Sequence, residues 1–260
     1  MIQEIFCNSK KNPKPEKRRY IGFVGLAAGA GATTLAFSAA EYLAARMKKS
    51  PLTVTMLELD KRTDLPAGCA YDKVGIDRRF AGRQYVSIYK AALENKPLRE
   101  VLNIDEGINW ALRAPQDRGP APAASALFRL LNNVSGDIIV CDIPAYAFLK
   151  TGEDRELLLS LLADMDDIIC VFDPLPSRLF ASVRAAEICR SLPCADTDTI
   201  WLFNKYNPGA DMREVVRFTG IKKYHLFPAL PAEIVYRAEY ACRSLASRPE
   251  AGAAFQKILG

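Results

Sequence analysis

The residues with the plainest chemistry form a run of small side chains, Gly25-Leu26-Ala27-Ala28-Gly29-Ala30-Gly31-Ala32-Thr33-Thr34. The run follows a short apolar stretch and opens an alanine-rich segment of helical period. Backbone N–H groups in such a loop, with the positive end of the helix behind them, favour a phosphate. Threonine hydroxyls directly after the loop suit a phosphate oxygen or Mg²⁺. Gly29, Ala30, Gly31, Ala32, Thr33 and Thr34 are therefore candidate nucleotide-binding residues, and Thr33 is also a candidate metal ligand. The bland alternative is a tight strand–helix turn whose glycines serve packing alone. Neither standard glycine motif is complete. Against G-x-x-x-x-G-K-[ST], Leu26 stands at the first glycine and Ala32 at the lysine; against G-x-G-x-x-G, Thr34 stands at the third glycine.

The elements that must position this loop follow from periodicity. Apolar and β-branched runs predict strands at 20–25, 52–58, 108–113, 137–141, 167–172, 199–204 and 223–227. Stretches of helical period lie at 33–48, 85–94, 121–132, 154–163, 177–191, 212–219 and 232–246. Strands that alternate with helices, and that are apolar throughout, predict an α/β fold: a doubly wound, mostly parallel sheet with helices on both faces. The stretch from Asp60 to Gln84 is the longest without pattern and reads as a loop. In such folds ligands bind beyond the carboxyl ends of the strands. Besides the glycine loop, that directs attention to 58–64, 142–146, 173–178 and 204–208, with Glu58, Asp60, Asp142 and Asn204 as candidates. Asp142, directly after a buried apolar run, has little structural reason to be acidic. Glu58 and Asp60 also read as solvated acids at a strand end.

The loop, the strand ending Leu57-Glu58-Leu59-Asp60, the segment Asp137-Ile138-Ile139-Val140-Cys141-Asp142-Ile143-Pro144-Ala145 and the segment Asn204-Lys205-Tyr206-Asn207-Pro208 together resemble the MinD/ParA class of P-loop ATPases, including the CpaE/TadZ type. The resemblance runs from about Tyr20 to about Pro249. It implies a P-loop NTPase fold and ATP or ADP with Mg²⁺ as ligand. It implies that Asp60 orients water, that Asp142 serves Mg²⁺ through water, and that Asn204 reads the adenine edge. An amide carries the donor and the acceptor which that edge needs. Asn207 stands where a guanine-reading N-K-x-D motif has its carboxylate, which favours adenine. The segment Phe227-Pro228-Ala229-Leu230-Pro231 is similar to the family loop that packs on the base, and reads equally as a proline-rich turn. The departures are on the catalytic side. Ala27 stands at the family's signature lysine, Ala32 at the P-loop lysine, and Tyr146 at a glycine whose N–H meets the γ-phosphate. Arg178, Lys61 and Arg62 are candidate replacement cations and read equally as surface residues.

Composition bounds the rest. The chain has 260 residues, 50% hydrophobic and 25% charged, enough for a substantial core and unlike a disordered, collagenous or coiled-coil chain. No apolar stretch approaches the roughly 18 residues of a membrane span. The net charge of +5 is matched by residues 10–19 alone, which carry six basic residues against one acidic. This divides the chain into a basic arm, 1–19, and a nearly neutral P-loop-like domain, 20–260, with membrane or nucleic-acid contact assigned to the arm. Seven cysteines without a Cys-x-x-Cys pair read as buried thiols in a reducing cytoplasm. A lone histidine, His225, reads as a strand residue and excludes a His-rich metal site. The expected function is a degenerate MinD/ParA-like nucleotide-binding or scaffold protein with little or no ATPase activity. It is expected to work with a protein partner in a larger assembly such as pilus or secretion machinery, to be cytoplasmic or peripheral to the membrane through partners, and to form any homodimer without ATP control. The alternatives are a slow Mg-ATPase using Asp60 and a recruited cation, and a nucleotide-free interaction module. A dinucleotide-dependent oxidoreductase is disfavoured by the threonine pair and Asp142.

Overall fold

The structure is a computed structural model, and it describes residues 18–59, 70–94, 96–117, 124–143, 152–190 and 198–260. The chain order is β1 (Arg19–Gly25), α1 (Ala32–Met47), β2 (Val54–Glu58), α2 (Ala70–Val74), α3 (Ile76–Arg79), α4 (Ile88–Leu93), β3 (Ile104–Asp105), β4 (Ile108–Ala111) and α5 (Ala124–Asn133). It continues through β5 (Ile138–Ile143), α6 (Gly152–Ala163), β6 (Asp167–Phe172), α7 (Pro176–Arg190), β7 (Asp198–Tyr206), α8 (Met212–Thr219), β8 (His225–Pro228), α9 (Ala232–Tyr240) and α10 (Pro249–Leu259). One eight-stranded sheet runs β3-β4-β2-β5-β1-β6-β7-β8, parallel throughout except where β3 pairs antiparallel with β4. The expected doubly wound architecture is what forms, and His225 lies in β8.

Successive strand residues face opposite sides, and the two cores follow from that alternation. Ile21 and Phe23 of β1 join Met56, Val140, Ile169 and Val171 beneath α1, α2, α3 and α10. Tyr20 and Val24 join Leu57, Cys141, Cys170 and Phe172 beneath α4, α5, α6 and α7. Because both sheet faces are covered, the strands are continuously apolar. Helix α1 lies close on the sheet because its contact face is mostly small: Ala36, Ala39 and Ala40 are fully buried. β1 sits between β5 and β6, where the connections depart in opposite directions. That switch point opens a crevice above the carboxyl ends of these strands, and the loop 26–31 lies there.

Two expectations need correction. The stretch 60–84, read as a loop, holds α2 and α3. The helix expected at 232–246 ends at Tyr240, because Cys242 takes a left-handed backbone (φ 51°) and Arg243 N–H closes onto Ala238 O at 2.9 Å. The tail beyond it forms α10, whose Ala251, Phe255, Ile258 and Leu259 are buried in the core. Asp60, Lys61, Arg62, Tyr146 and arm residues 1–17 lie outside the described residues.

Candidate phosphate-binding site

The glycine loop is shaped by two left-handed residues, Gly29 (φ 73°) and Gly31 (φ 94°). Both are also walled in: a Cβ on Gly29 would overlap Arg178 Nη1, and one on Gly31 would overlap Asn204 Nδ2. Conformation demands glycine at both positions, and at Gly31 the buried Asn204 amide leaves no space for a Cβ either. The donors that crowd these glycines hold the loop. Arg178 Nη1 donates to Ala28 O at 3.0 Å, Lys205 Nζ to Gly29 O at 2.8 Å, and Asn204 Nδ2 to Ala30 O at 2.7 Å. Three consecutive carbonyls thus take side-chain donors from the segments after β6 and at the end of β7. A trans peptide sets its N–H opposite its carbonyl, so the Gly29 and Gly31 amides are turned away from those donors. With the first-turn amides of α1, which have no intrahelical acceptor, they form a set of donors of the kind that suits an anion.

Asp173 organises the donors. Its side chain is 1% exposed; Oδ2 lies 3.2 Å from Lys205 Nζ and 3.5 Å from Arg178 Nε, and Oδ1 accepts from Leu175 N–H at 3.2 Å. Asn204 is equally committed, since its Oδ1 accepts from Lys205 N–H at 2.9 Å. The structure therefore places Asn204 on the loop backbone, buried at 6% exposure, where base reading was expected. Pro228 closes β8 opposite Tyr206, and the neighbouring Ala229 N–H bonds Tyr206 O at 2.7 Å. Pro228 ties two strand ends and is not among the residues lining the loop cavity.

That cavity is about 370 Å³, lined by Gly25, residues 27–34, Asp142, Ile143, Lys73 and Lys205. Its size suits a small-molecule site. Asp142 is the penultimate residue of β5, 5% exposed, in register with Phe23 of β1 and Glu58 of β2. Burial, reinforced by the Asp142 charge, pushes the adjacent Cys141 thiol far above its ordinary range. Thr33 borders the same cavity as Asp142, so the loop amides, Thr33 and Asp142 fit a phosphate with Mg²⁺. The loop itself supplies no cation: Ala27 and Ala32 are buried methyl groups at 6% and 8% exposure. Glu58 turns elsewhere. Its Oε2 accepts from Arg113 N–H at 3.1 Å, and Tyr89 OH bonds its carbonyl at 2.9 Å.

Arg178 had a sequence signal, as a cation after a strand end, and the structure brings it to the loop. Lys205 had a fainter one, its place beside Asn204. Lys73 had none, because it sits in the stretch without pattern. A larger cavity of about 830 Å³ opens between α7 and α8, lined by Leu175, Leu179, Phe180, Val215 and Phe218, with Asp173 and Lys205 at its edge. Among the described residues no cluster of three metal-binding side chains occurs, and no helix is long and apolar enough to cross a membrane.

No protein-family model matches the sequence, and no curated protein sequence matches it. Solved structures do match in shape. The MinC:MinD cell division complex of Aquifex aeolicus aligns at TM-score 0.66 and 16% identity over 93% of this chain and 96% of that one. The septum site-determining protein MinD of Pyrococcus horikoshii, complexed with Mg-ADP, aligns at TM-score 0.66 and 14% identity over 93% and 94%. A plasmid partition protein of Borrelia burgdorferi bound to AMPPNP aligns at TM-score 0.66 and 13% identity over 94% and 97%. The fold is that of the MinD/ParA P-loop NTPases.

Proposed function

We propose that this chain is a nucleotide-binding protein of MinD/ParA architecture that takes ATP or ADP with Mg²⁺ and hydrolyses ATP weakly or not at all. The observation that carries this reading is a phosphate loop held in shape by Asp173, Arg178, Lys205 and Asn204 while both of its lysine positions are buried alanines. Gly29, Ala30, Gly31, Ala32, Thr33 and Thr34 would hold phosphates through backbone amides and hydroxyls. Thr33 and Asp142 would serve Mg²⁺. By the resemblance, Asp60 would orient the attacking water, and Tyr146 replaces a glycine that meets the γ-phosphate, a further departure on the catalytic side. Bound Mg²⁺ supplies charge neutralisation on the phosphates. Removing one transition-state donor costs roughly a hundredfold or more in rate, and here two cations are missing. The solved MinD of Aquifex aeolicus is complexed with MinC. By analogy of fold, this chain is a nucleotide-loaded scaffold for a protein partner in a larger assembly, with pilus or secretion positioning the finer reading. Ala27 cannot reach a partner's phosphates, so any homodimer forms without ATP control.

Calorimetry with ADP and ATP, with and without Mg²⁺, tests the reading beside a phosphate-release assay. Saturable ADP binding with turnover at background is the expected result. Absence of binding would overturn this reading and leave the nucleotide-free interaction module. Turnover abolished by Asp60→Ala would establish the slow ATPase.

A further inference from the structure

Two lysines border the loop cavity, and they stand differently. The Lys205 ammonium is committed to Gly29 O and to the buried Asp173. Arg178 reaches the loop on the same carbonyl side, through Ala28 O. Lys73 comes from another element, α2, and lines the cavity together with the glycine loop, Thr33, Thr34 and Asp142. Among the described residues, it is the cation lining this cavity that does not bond a loop carbonyl. It also lines a smaller adjoining pocket of about 110 Å³ with Thr34, Phe37 and Glu239. Its Nζ lies 3.2 Å from Glu239 Oε1 on α9, with the two side chains 27% and 53% exposed.

The backbone that carries Lys73 is fixed, while its ammonium is not. Ala70, Tyr71 and Val74 of α2 are buried, and Tyr71 OH bonds Asp77 Oδ1 at 2.6 Å. The lysine stem has four carbons and free rotation. A half-exposed ion pair such as Lys73–Glu239 is weakly held. Phosphate oxygens accept charge-assisted bonds from an ammonium as a carboxylate does, so they can replace Glu239 as its partner.

We propose that Lys73 supplies the phosphate charge that Ala27 and Ala32 cannot, so that a nucleoside di- or triphosphate is held between the loop amides and an ammonium lent by α2. This rests on the nucleotide-binding reading above and adds the residue that neutralises the phosphates. It also links the site to α9, because Lys73 leaves Glu239 when it turns to phosphate.

The test is calorimetry of the full chain with Mg-ADP and with pyrophosphate, comparing wild type with Lys73→Met, Lys73→Arg and Glu239→Gln. Lys73→Met keeps the apolar stem and is expected to weaken both ligands about tenfold or more, as the loss of one charge-assisted phosphate contact implies. Lys73→Arg is expected to retain most of the affinity, and Glu239→Gln to leave it unchanged or tighter. Wild-type binding with an unchanged Lys73→Met constant would overturn the assignment and leave the nucleotide reading standing. Equal losses in Lys73→Met and Glu239→Gln would overturn it too, showing that the ion pair acts only to hold α2 against α9. A wild-type chain that binds neither ligand would remove both readings together.

Discussion

At the scale of single residues, the loop is held by neighbours that bear on its carbonyls. Asn204 is the test case, with its amide buried between Ala30 O and Lys205 N–H. Asn204→Ala removes a donor and strands a buried carbonyl, at a cost of about 1–3 kcal/mol. Asn204→Asp keeps the shape and sets a carboxylate against that carbonyl, so it is expected to cost more. Urea unfolding monitored by tryptophan fluorescence gives the ranking, and equal stability of Asn204→Ala and wild type would show the contact to be idle. The buried thiols give a second prediction. Burial raises Cys141 and Cys170 well above the ordinary thiol range, with Asp142 adding to the shift at Cys141 and Cys189 at Cys170. Thiolate is the reactive form. Iodoacetamide at pH 8 is therefore expected to leave both unlabelled in the native protein and to label both in urea, read by peptide mass spectrometry. Native labelling at the rate of a free thiol would contradict the packing.

At the scale of elements, what could be read from sequence depended on length. The segments 167–172 and 212–219 are expected and found to the residue, each long enough to show its pattern. α2 and α3 have five and four residues and are separated by Gly75, so no helical period develops. β3 has two residues and joins β4 through Glu106-Gly107, both at positive φ, a turn too small to stand out from its surroundings. The candidate site divides similarly. The glycine loop and Asp142 are local in sequence and were legible. The committed role of Asn204 and the place of Lys73 arise from pairings 174 and 166 residues apart, which no local pattern carries. The short elements also share a fastener that sequence could not show. Arg79 of α3, with a side chain 7% exposed, bonds Glu41 of α1 at 2.6 Å, Asp105 of β3 at 3.3 Å, Glu106 at 3.2 Å, Val74 O at 2.9 Å and Cys242 O at 3.2 Å. It also lies over the Trp110 ring at 4.9 Å. Arg79→Met is expected to destabilise by about 2–4 kcal/mol, since it removes the arginine from the partly buried Glu41, while Asp105 keeps Arg83 and Glu106 keeps Arg243. Arg79→Lys should recover little of this, because a point charge cannot serve so many separated acceptors. Chemical unfolding of the two variants checks it, and full recovery by lysine would show that charge alone matters there.

At the scale of the whole molecule, we expect the excess positive charge and the candidate site to be separate. The net +5 of the chain equals that of residues 10–19, of which Arg18 and Arg19 are among the described residues. Arg19 is already strand: its N–H bonds Asp137 O at 2.8 Å and its Nε pairs with Asp167 Oδ2 at 2.8 Å. Arg18 Nη1 reaches Asn132 O at 3.3 Å. These contacts lie at the amino ends of β1, β5 and β6, whereas the loop, Asp142 and Asp173 lie at their carboxyl ends. Removing residues 1–17 should therefore leave ADP affinity and the unfolding midpoint as in the full chain. Removing residues 1–19 should lower stability by about 1–2 kcal/mol through the lost strand bond and ion pair, again without changing ADP affinity beyond what stability explains. If the basic arm docks to an acidic surface, the full chain will cosediment with anionic vesicles at low salt, and both truncations and high salt will abolish it. A drop in ADP affinity on removing residues 1–17 would mean that the arm's lysines reach the phosphate site, and the separation of charge from site would fail.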